Sequence, residues 1–369
     1  MGKRFLFHFS LIILAAVEFY RMYLLSPFPG GQQSEMVHIS YPLWKYRWII
    51  RGICIIGAII GFRSVFERRK WIPVITILLS GFVIYAVNFQ MSAENMFHEV
   101  ETLQFADPDK CGLPDDAIII SMSSGNESHA FPVRYLEYHH RVADVIDGQN
   151  VLVTYCNVCR SALVFDPKAF TINNHFRLVG MDQFNAMFED SESGSWWMQA
   201  NGECVAGPRK GEHLLLLNAQ QLTIGEWKKL FPKGKVMLPD PKYASEYGDE
   251  TFENGTVKSS LIGTDTASWH DKSWIVGVVC NNQSRAYDWN QLKRERIIYD
   301  QLGGADIAVT IDSNNVDFYA YKILNKAPAF GDSLTIGMHP PESRAPLAPR
   351  QMFWHTWRTF YPNTTKYTR

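Results

Sequence analysis

Three apolar runs near the N-terminus constrain this chain more than any other feature. Residues 5–25 (FLFHFSLIILAAVEFYRMYLL) and 71–91 (WIPVITILLSGFVIYAVNFQM) are each one bilayer long, because a spanning helix needs about 20 apolar residues. The second run holds no charge. Between them, 48–66 (WIIRGICIIGAIIGFRSVF) is weaker, since Arg51 and Arg63 bracket its apolar centre. Long Arg stems can carry their charge to the interface from near helix ends. The reading is three spans in a membrane region 1–94, with the lipid bilayer as first partner. No A-x-A-like cleavage site follows the first run, so it reads as a retained anchor. Glu18 and Arg21 are three residues apart and can pair on one helix face.

The charges sort along the chain. Residues 1–95 carry ten Lys/Arg and four Asp/Glu, leaving 26 and 33 to the remainder. Lys3 and Arg4 precede the first run, and Arg63, Arg68, Arg69 and Lys70 crowd the loop before the last. Basic loops stay cytoplasmic, which predicts that everything beyond about 95 lies outside the cytoplasm. A formal net charge of −1 argues against a nucleic-acid partner, which calls for a basic footprint.

The part beyond the spans contains a duplication. Ala130-Phe131 matches Ala286-Tyr287, Leu136 matches Leu292, Asp144 matches Asp300 and Val153-Thr154 matches Val309-Thr310, each 156 apart. Trp227 and Pro232 match Trp357 and Pro362, 130 apart, so the second copy is 26 residues shorter. Each copy reads as strands around an amphipathic segment (VRYLEYHHRV; WNQLKRERII) and closes on a Trp-containing helix ended by Pro. The expected fold is α+β: transmembrane helices, then a β-rich duplicated domain. Its first copy is 95–240, a linker follows at 241–272, and the shortened second copy is 273–369.

What differs between the copies points to chemistry. A strand, NVLVTY, runs into Cys156-Asn157-Val158-Cys159 and then SALVFD, whereas copy two has Asp312 and Asn315 at the cysteine positions. Copy two also lacks a counterpart of 183–208. Arg160 rather than His follows Cys159, which excludes a c-type haem site. A strand after the pair, where thioredoxin-like proteins have a helix, weakens that reading and suits a metal knuckle on a hairpin tip. Two thiolates need further ligands; His139 and His140 stand just before the strand, Cys204 lies in the unique insert, and Cys111 and Asp190 are more remote. The bland reading is a structural disulfide or two inert thiols. His355, His270 and His98 read as structural histidines, and Trp196-Trp197 beside Ser195 and Gln199 as either core or a ligand cleft.

The runs VRYLEYHHRVADVIDGQNVLVTYCNVCRSALVFD, SGSWWMQANGECVAGPRKGEHL, IGEWKKLFPKGKVML and FWHTWRTFYPNTTKY together resemble the bacterial family of unknown function numbered 3179, over about 100–366. Its motif places a His at His139, an Asp at Asp144 and two Cys at Cys156 and Cys159, and its later residues at Asp190, Ser195, Trp197 and Gln199. Asn157 stands for the family's Pro, Arg160 for its Gly, His140 for an acidic residue, and Cys204 where Cys is unusual. The resemblance names no reaction. Together with the three spans and their basic flanks, it gives the expectation of a multi-pass protein of the bacterial inner (plasma) membrane with its soluble domain outside. The expected function is metal binding, copper or zinc, through Cys156, Cys159 and His139, with Asp190, Ser195, Trp197 and Gln199 lining a ligand cleft. The alternatives are a thiol–disulfide oxidoreductase, with Cys156 attacking and Cys159 resolving on a redox partner, and a non-catalytic scaffold that binds a small ligand or partner.

Overall fold

A computed structural model describes residues 2–67, 69–168, 170, 174–324 and 344–368. Arg68, one of the basic residues of the predicted cytoplasmic loop, lies outside the described residues. The chain divides into two compact units. The first is Met1–His98, Asn174–Met198 and Glu203–Glu212; the second is Glu99–Asn173, Gln199–Gly202 and His213–Arg369.

The first unit begins with α1 (Gly2–Leu25), α2 (Val37–Lys45), α3 (Arg47–Val65), α4 (Trp71–Tyr85, continued by a π turn, Ala86–Gln90) and α5 (Ala93–Met96). Three helices, Gly2–Leu25, Arg47–Val65 and Trp71–Gln90, are long and apolar enough to cross a membrane. Ile53, Ile59, Leu78 and Phe82 face outward, as lipid-facing residues do. Gly57 and Gly61 form the buried stripe of α3 against α1, where an added Cβ would run into Ser10 or into Phe7 and the Lys3 carbonyl. Small residues at this four-residue spacing let spanning helices approach closely. Glu18 pairs with Arg21 as expected and also with Arg51, both at 2.7 Å, while Asn88 donates to it at 3.0 Å.

The strands follow in chain order. They are β1 (Phe105–Ala106), β2 (Ile118–Ser124), β3 (Glu127–Pro132), β4 (Arg141–Ile146), β5 (Gln149–Cys156) and β6 (Ser161–Asp166). Next come β7 (Phe176–Asp182), β8 (Asn185–Asp190), β9 (Trp196–Met198), β10 (Cys204–Ala206), β11 (Leu215–Leu216), β12 (Ala219–Thr223) and β13 (Lys235–Met237). The rest are β14 (Trp274–Cys280), β15 (Gln283–Asp288), β16 (Ile297–Leu302), β17 (Ala305–Ile311), β18 (Phe318–Ile323), β19 (Arg344–Leu347), β20 (Arg350–Phe353) and β21 (Thr365–Lys366). They form five sheets of four or five strands, the size of propeller blades. Four belong to the second unit. The fifth, ordered β10-β9-β8-β7, belongs to the first.

The repeat is visible strand by strand. The order β12-β2-β3-β13 recurs as β20-β14-β15-β21, and β11-β6-β5-β4 recurs as β19-β18-β17-β16. The repeated unit is therefore a pair of sheets, and the fifth sheet occupies the stretch that copy two lacks. The α+β expectation fits only in part. Beyond the spans the helices α6 (Val133–His139), α7 (Ile224–Leu230), α8 (Glu250–Glu253), α9 (Trp289–Glu295) and α10 (Trp354–Phe360) have at most seven residues each. They are connectors, too short to form a layer; the domain is built of sheets.

Local chemistry explains the corresponding turns. In both copies the amphipathic helix ends on a left-handed residue, His140 at φ 59° and Arg296 at φ 65°. The matching tryptophans, Trp227 and Trp357, are fully buried. Trp227 donates to Ser121 Oγ at 3.0 Å, and Trp357 to Thr364 Oγ1 at 2.7 Å. His129 Nδ1 and Asp144 meet at 2.6 Å, and the same positions of copy two hold Arg285 and Asp300, also at 2.6 Å.

Candidate functional site: a buried dithiol hairpin

Cys156 ends β5 and Cys159 sits in the turn before β6, so both thiols lie on one hairpin of the second unit. Cys156 is 2% exposed and Cys159 fully buried. In copy two the equivalent turn is closed by polar side chains: Asp317 accepts from Asn314 at 2.7 Å and from Thr223 Oγ1 at 2.9 Å. The fold makes this hairpin without thiols there, so the pair in copy one is not required by the topology.

The turn is gripped from several directions within the second unit. Lys272 Nζ donates to the carbonyl of Val158, the residue between the thiols, at 2.9 Å, and to Leu261 O at 2.6 Å. Burial pulls the Lys272 ammonium below its ordinary pKa, and its attraction to Cys159 and Cys156 opposes that. His355 Nε2 meets the same Val158 carbonyl at 3.2 Å, and Phe353 N donates to Cys159 O at 2.9 Å. Burial, with Lys272 second, lowers His355 to about 4, so it is neutral at physiological pH. Asn157 Nδ2 donates to the Glu137 carbonyl at 2.8 Å. Burial first, then Glu253 and Asp249, raises the Glu137 carboxyl to about 8. A neutral Glu137 adds no charge that would oppose a thiolate.

The other expected site residues fall into two groups. Gln199 joins the hairpin: its Nε2 donates to Ser161 O at 3.2 Å and its Oε1 accepts from Ser161 Oγ at 2.9 Å. Ser161 is the cross-strand partner of Cys156. Asp190, Ser195 and Trp197 belong to the first unit and lock one another. Trp197 Nε1 and Ser193 Oγ donate to Asp190 Oδ2 at 2.8 and 2.7 Å, and Asp190 N donates to Ser195 O at 3.1 Å. All three are buried to within 1% of full enclosure. Cys204, in the same unit, donates to Ala206 O at 3.4 Å, and burial raises it to about 11.

His139 is fully buried among Tyr138, Tyr243 and Tyr247, with its Nε2 2.8 Å from the Tyr247 hydroxyl. His140 is neutral, lowered to about 4 by burial. Among the described residues, three ligand-type groups come within 4.8 Å of one another at Glu226, Asp312 and Asp317. His139 makes no such triad with Cys156 and Cys159.

Residues 96–364 match the family described as a protein of unknown function, DUF3179. The chain belongs to that family. No curated protein and no solved structure matches it.

One departure of this DUF3179 chain from the family motif now has a physical reading. Arg160, which stands where the family has Gly, adopts φ 51°, the left-handed region that Gly enters without strain. Its guanidinium holds the position instead. Nη1 donates to Phe252 O at 2.6 Å, Nη2 to Glu253 O, and the group lies 3.9 Å from the Trp274 ring centroid. Asp144, also carried over from the family motif, serves the His129 pair that copy two repeats.

Sequence reasoning missed Lys272, Glu137 and the contact of His355. Lys272 ends the stretch read as a linker, which also supplies Tyr243, Tyr247, Phe252 and Glu253 around the hairpin. A lysine 113 residues from Cys159 carries no spacing signal. The only available hint was the loss of the thiols in copy two.

Proposed function

We propose that this protein is a membrane-anchored, extracytoplasmic thiol–disulfide exchanger whose reacting pair is Cys156 and Cys159. The observation that carries the reading is Lys272, whose ammonium donates to the carbonyl between the two thiols and would attract either one as a thiolate. A cation favours the thiolate, which is the nucleophile. The same cation disfavours a metal ion at that point.

Cys156, at the strand end, attacks one sulfur of a partner protein's disulfide. The partner's S–S bond breaks, a mixed disulfide forms, and the partner's other sulfur leaves as a thiolate that takes up a proton. Cys159 then attacks the Cys156 sulfur and releases the second partner thiol. Two electrons and two protons pass from the pair to the partner disulfide, and the reverse sequence oxidises a partner dithiol. Burial of both thiols limits exchange to partners that displace the 157–160 turn. The basic clusters around the spans support an orientation with this domain outside the cytoplasm, where disulfide chemistry operates.

A second reading has one observation in its favour. Both thiols lie on a strand–turn–strand hairpin, the form of a zinc or copper knuckle. His139, its third expected ligand, meets the Tyr247 hydroxyl through Nε2.

The test is anaerobic purification of the full-length protein in detergent, with metal measured by mass spectrometry and thiols titrated in a glutathione redox buffer. A Cys156→Ser/Cys159→Ser double variant is the comparison. Exchange predicts two thiols that interconvert reversibly with one disulfide, both lost in the variant. One stoichiometric metal, absent from the variant, overturns this in favour of the knuckle. Thiols that never oxidise leave a structural role and overturn both.

A further inference from the structure

One end of the three-helix bundle encloses a second site, separate from the thiols. Leu25 at the end of α1, Arg47 at the start of α3 and Gln90 at the end of the π turn lie at the same end of the helix bundle. There the first unit forms a cavity of about 350 Å³. Its wall combines Arg21, Trp44 and Arg177 with the apolar Met22, Leu25 and Phe89.

Three guanidiniums converge on one ring. Arg47, Arg177 and Arg21 lie 3.8, 4.5 and 4.8 Å from the Trp44 centroid. The neighbouring carboxylates are already engaged. Glu18 accepts from Arg21, Arg51 and Asn88. Glu189 accepts from Arg177 and from the indoles of Trp44 and Trp196. Glu94, on the cavity rim, meets Arg177 at 3.3 Å. Four guanidiniums thus face three carboxylates, and Arg47 meets a carbonyl, Trp44 O, at 2.7 Å rather than an acid. Arg21 is 5% exposed, and its Nε is buried with no acceptor.

We propose that this cavity holds the phosphate headgroup of an anionic membrane lipid. An excess positive charge, a buried donor without an acceptor and an apolar wall at bilayer-interface level together ask for an anion that carries acyl chains. Guanidiniums suit phosphate oxygens, and basic residues at a span's end select anionic lipids. The acyl chains lie along the exposed apolar faces of α3 and α4, such as Ile53 and Leu78.

The experiment uses the full-length protein, delipidated by detergent exchange and returned to phosphatidylglycerol or phosphatidylcholine. Lipid retained is counted by native mass spectrometry, and inorganic phosphate serves as a separate competitor. Phosphatidylglycerol is expected to be retained over phosphatidylcholine, and Arg21→Gln, which removes the cavity's unsatisfied guanidinium, to weaken that retention about tenfold, the worth of one charged hydrogen bond. Arg21→Lys should recover part of it. Equal retention of the two lipids overturns the proposal, and the wild-type comparison alone decides this should Arg21→Gln fail to fold. Displacement of the lipid by millimolar inorganic phosphate also overturns it, because the site would then recognise a small anion.

Discussion

Replacing Lys272 with Met removes the cation from the dithiol hairpin while keeping an unbranched, half-buried side chain. A positive charge within about 4–6 Å lowers an acid's pKa by about 1–3 pH units. The Lys272 ammonium reaches the carbonyl between the thiols and interacts with both. Lys272→Met should therefore raise the first thiol titration by at least about one unit, so the thiolate population below that pKa falls about tenfold. The assay is thiolate ultraviolet absorbance against pH on the reduced full-length protein. It needs no reagent access, an advantage because Cys156 is 2% exposed and Cys159 fully buried. The Cys156→Ser/Cys159→Ser variant supplies the baseline. Lys272→Arg keeps the charge and should titrate close to wild type. The Val158 and Leu261 carbonyls lose a donor in the Met variant, so folding is checked by near-ultraviolet circular dichroism. A folded Lys272→Met protein whose thiols titrate as in wild type refutes the assignment of Lys272.

Arg160→Gly relieves left-handed strain of about 1 kcal/mol but removes the donors to Phe252 O and Glu253 O. Hydrogen bonds to charged groups contribute about 1.5–3 kcal/mol each, so denaturant unfolding should show a net loss; a raised midpoint would contradict this. The Glu137 carboxyl, raised to about 8 from an ordinary value of 4.5, binds its proton more tightly in the folded state. Its contribution is full below about 4.5 and is lost as pH rises through about 8. Glu137→Gln should flatten that decline in thermal midpoint, and an unchanged slope would count against it. Gly61→Leu drives a side chain into Phe7 and the Lys3 carbonyl. Overpacking of this kind costs about 1–3 kcal/mol, read as earlier loss of helical signal on heating in detergent, while Leu78→Ala on the outer face should change little.

Much of the architecture was legible because it is local. Apolar runs of bilayer length mark the spans whatever they pack against, and the fixed offset between Trp227 and Trp357 exposes the repeat. The pair at Cys156 and Cys159 stood out once copy two was seen to lack it. The α+β reading fits only in part, for an equally local reason: an amphipathic run of seven residues, such as α6 or α9, forms the expected helix yet is too short to build a layer.

The amino-acid order by itself determined the three membrane-length helices, the duplicated strands and the position of the thiols, all of which depend on neighbours within a few residues. Only the tertiary structure decided what the thiols meet. Lys272, His355 and Gln199 reach the hairpin from 113, 196 and 40 residues beyond Cys159, and no periodicity encodes such distances. Their charge states are set there too. Burial keeps His355 neutral and Glu137 protonated, while Lys272 holds the carbonyl between the thiols. Desolvation is a property of the packed interior, so it cannot be read from the order of residues alone.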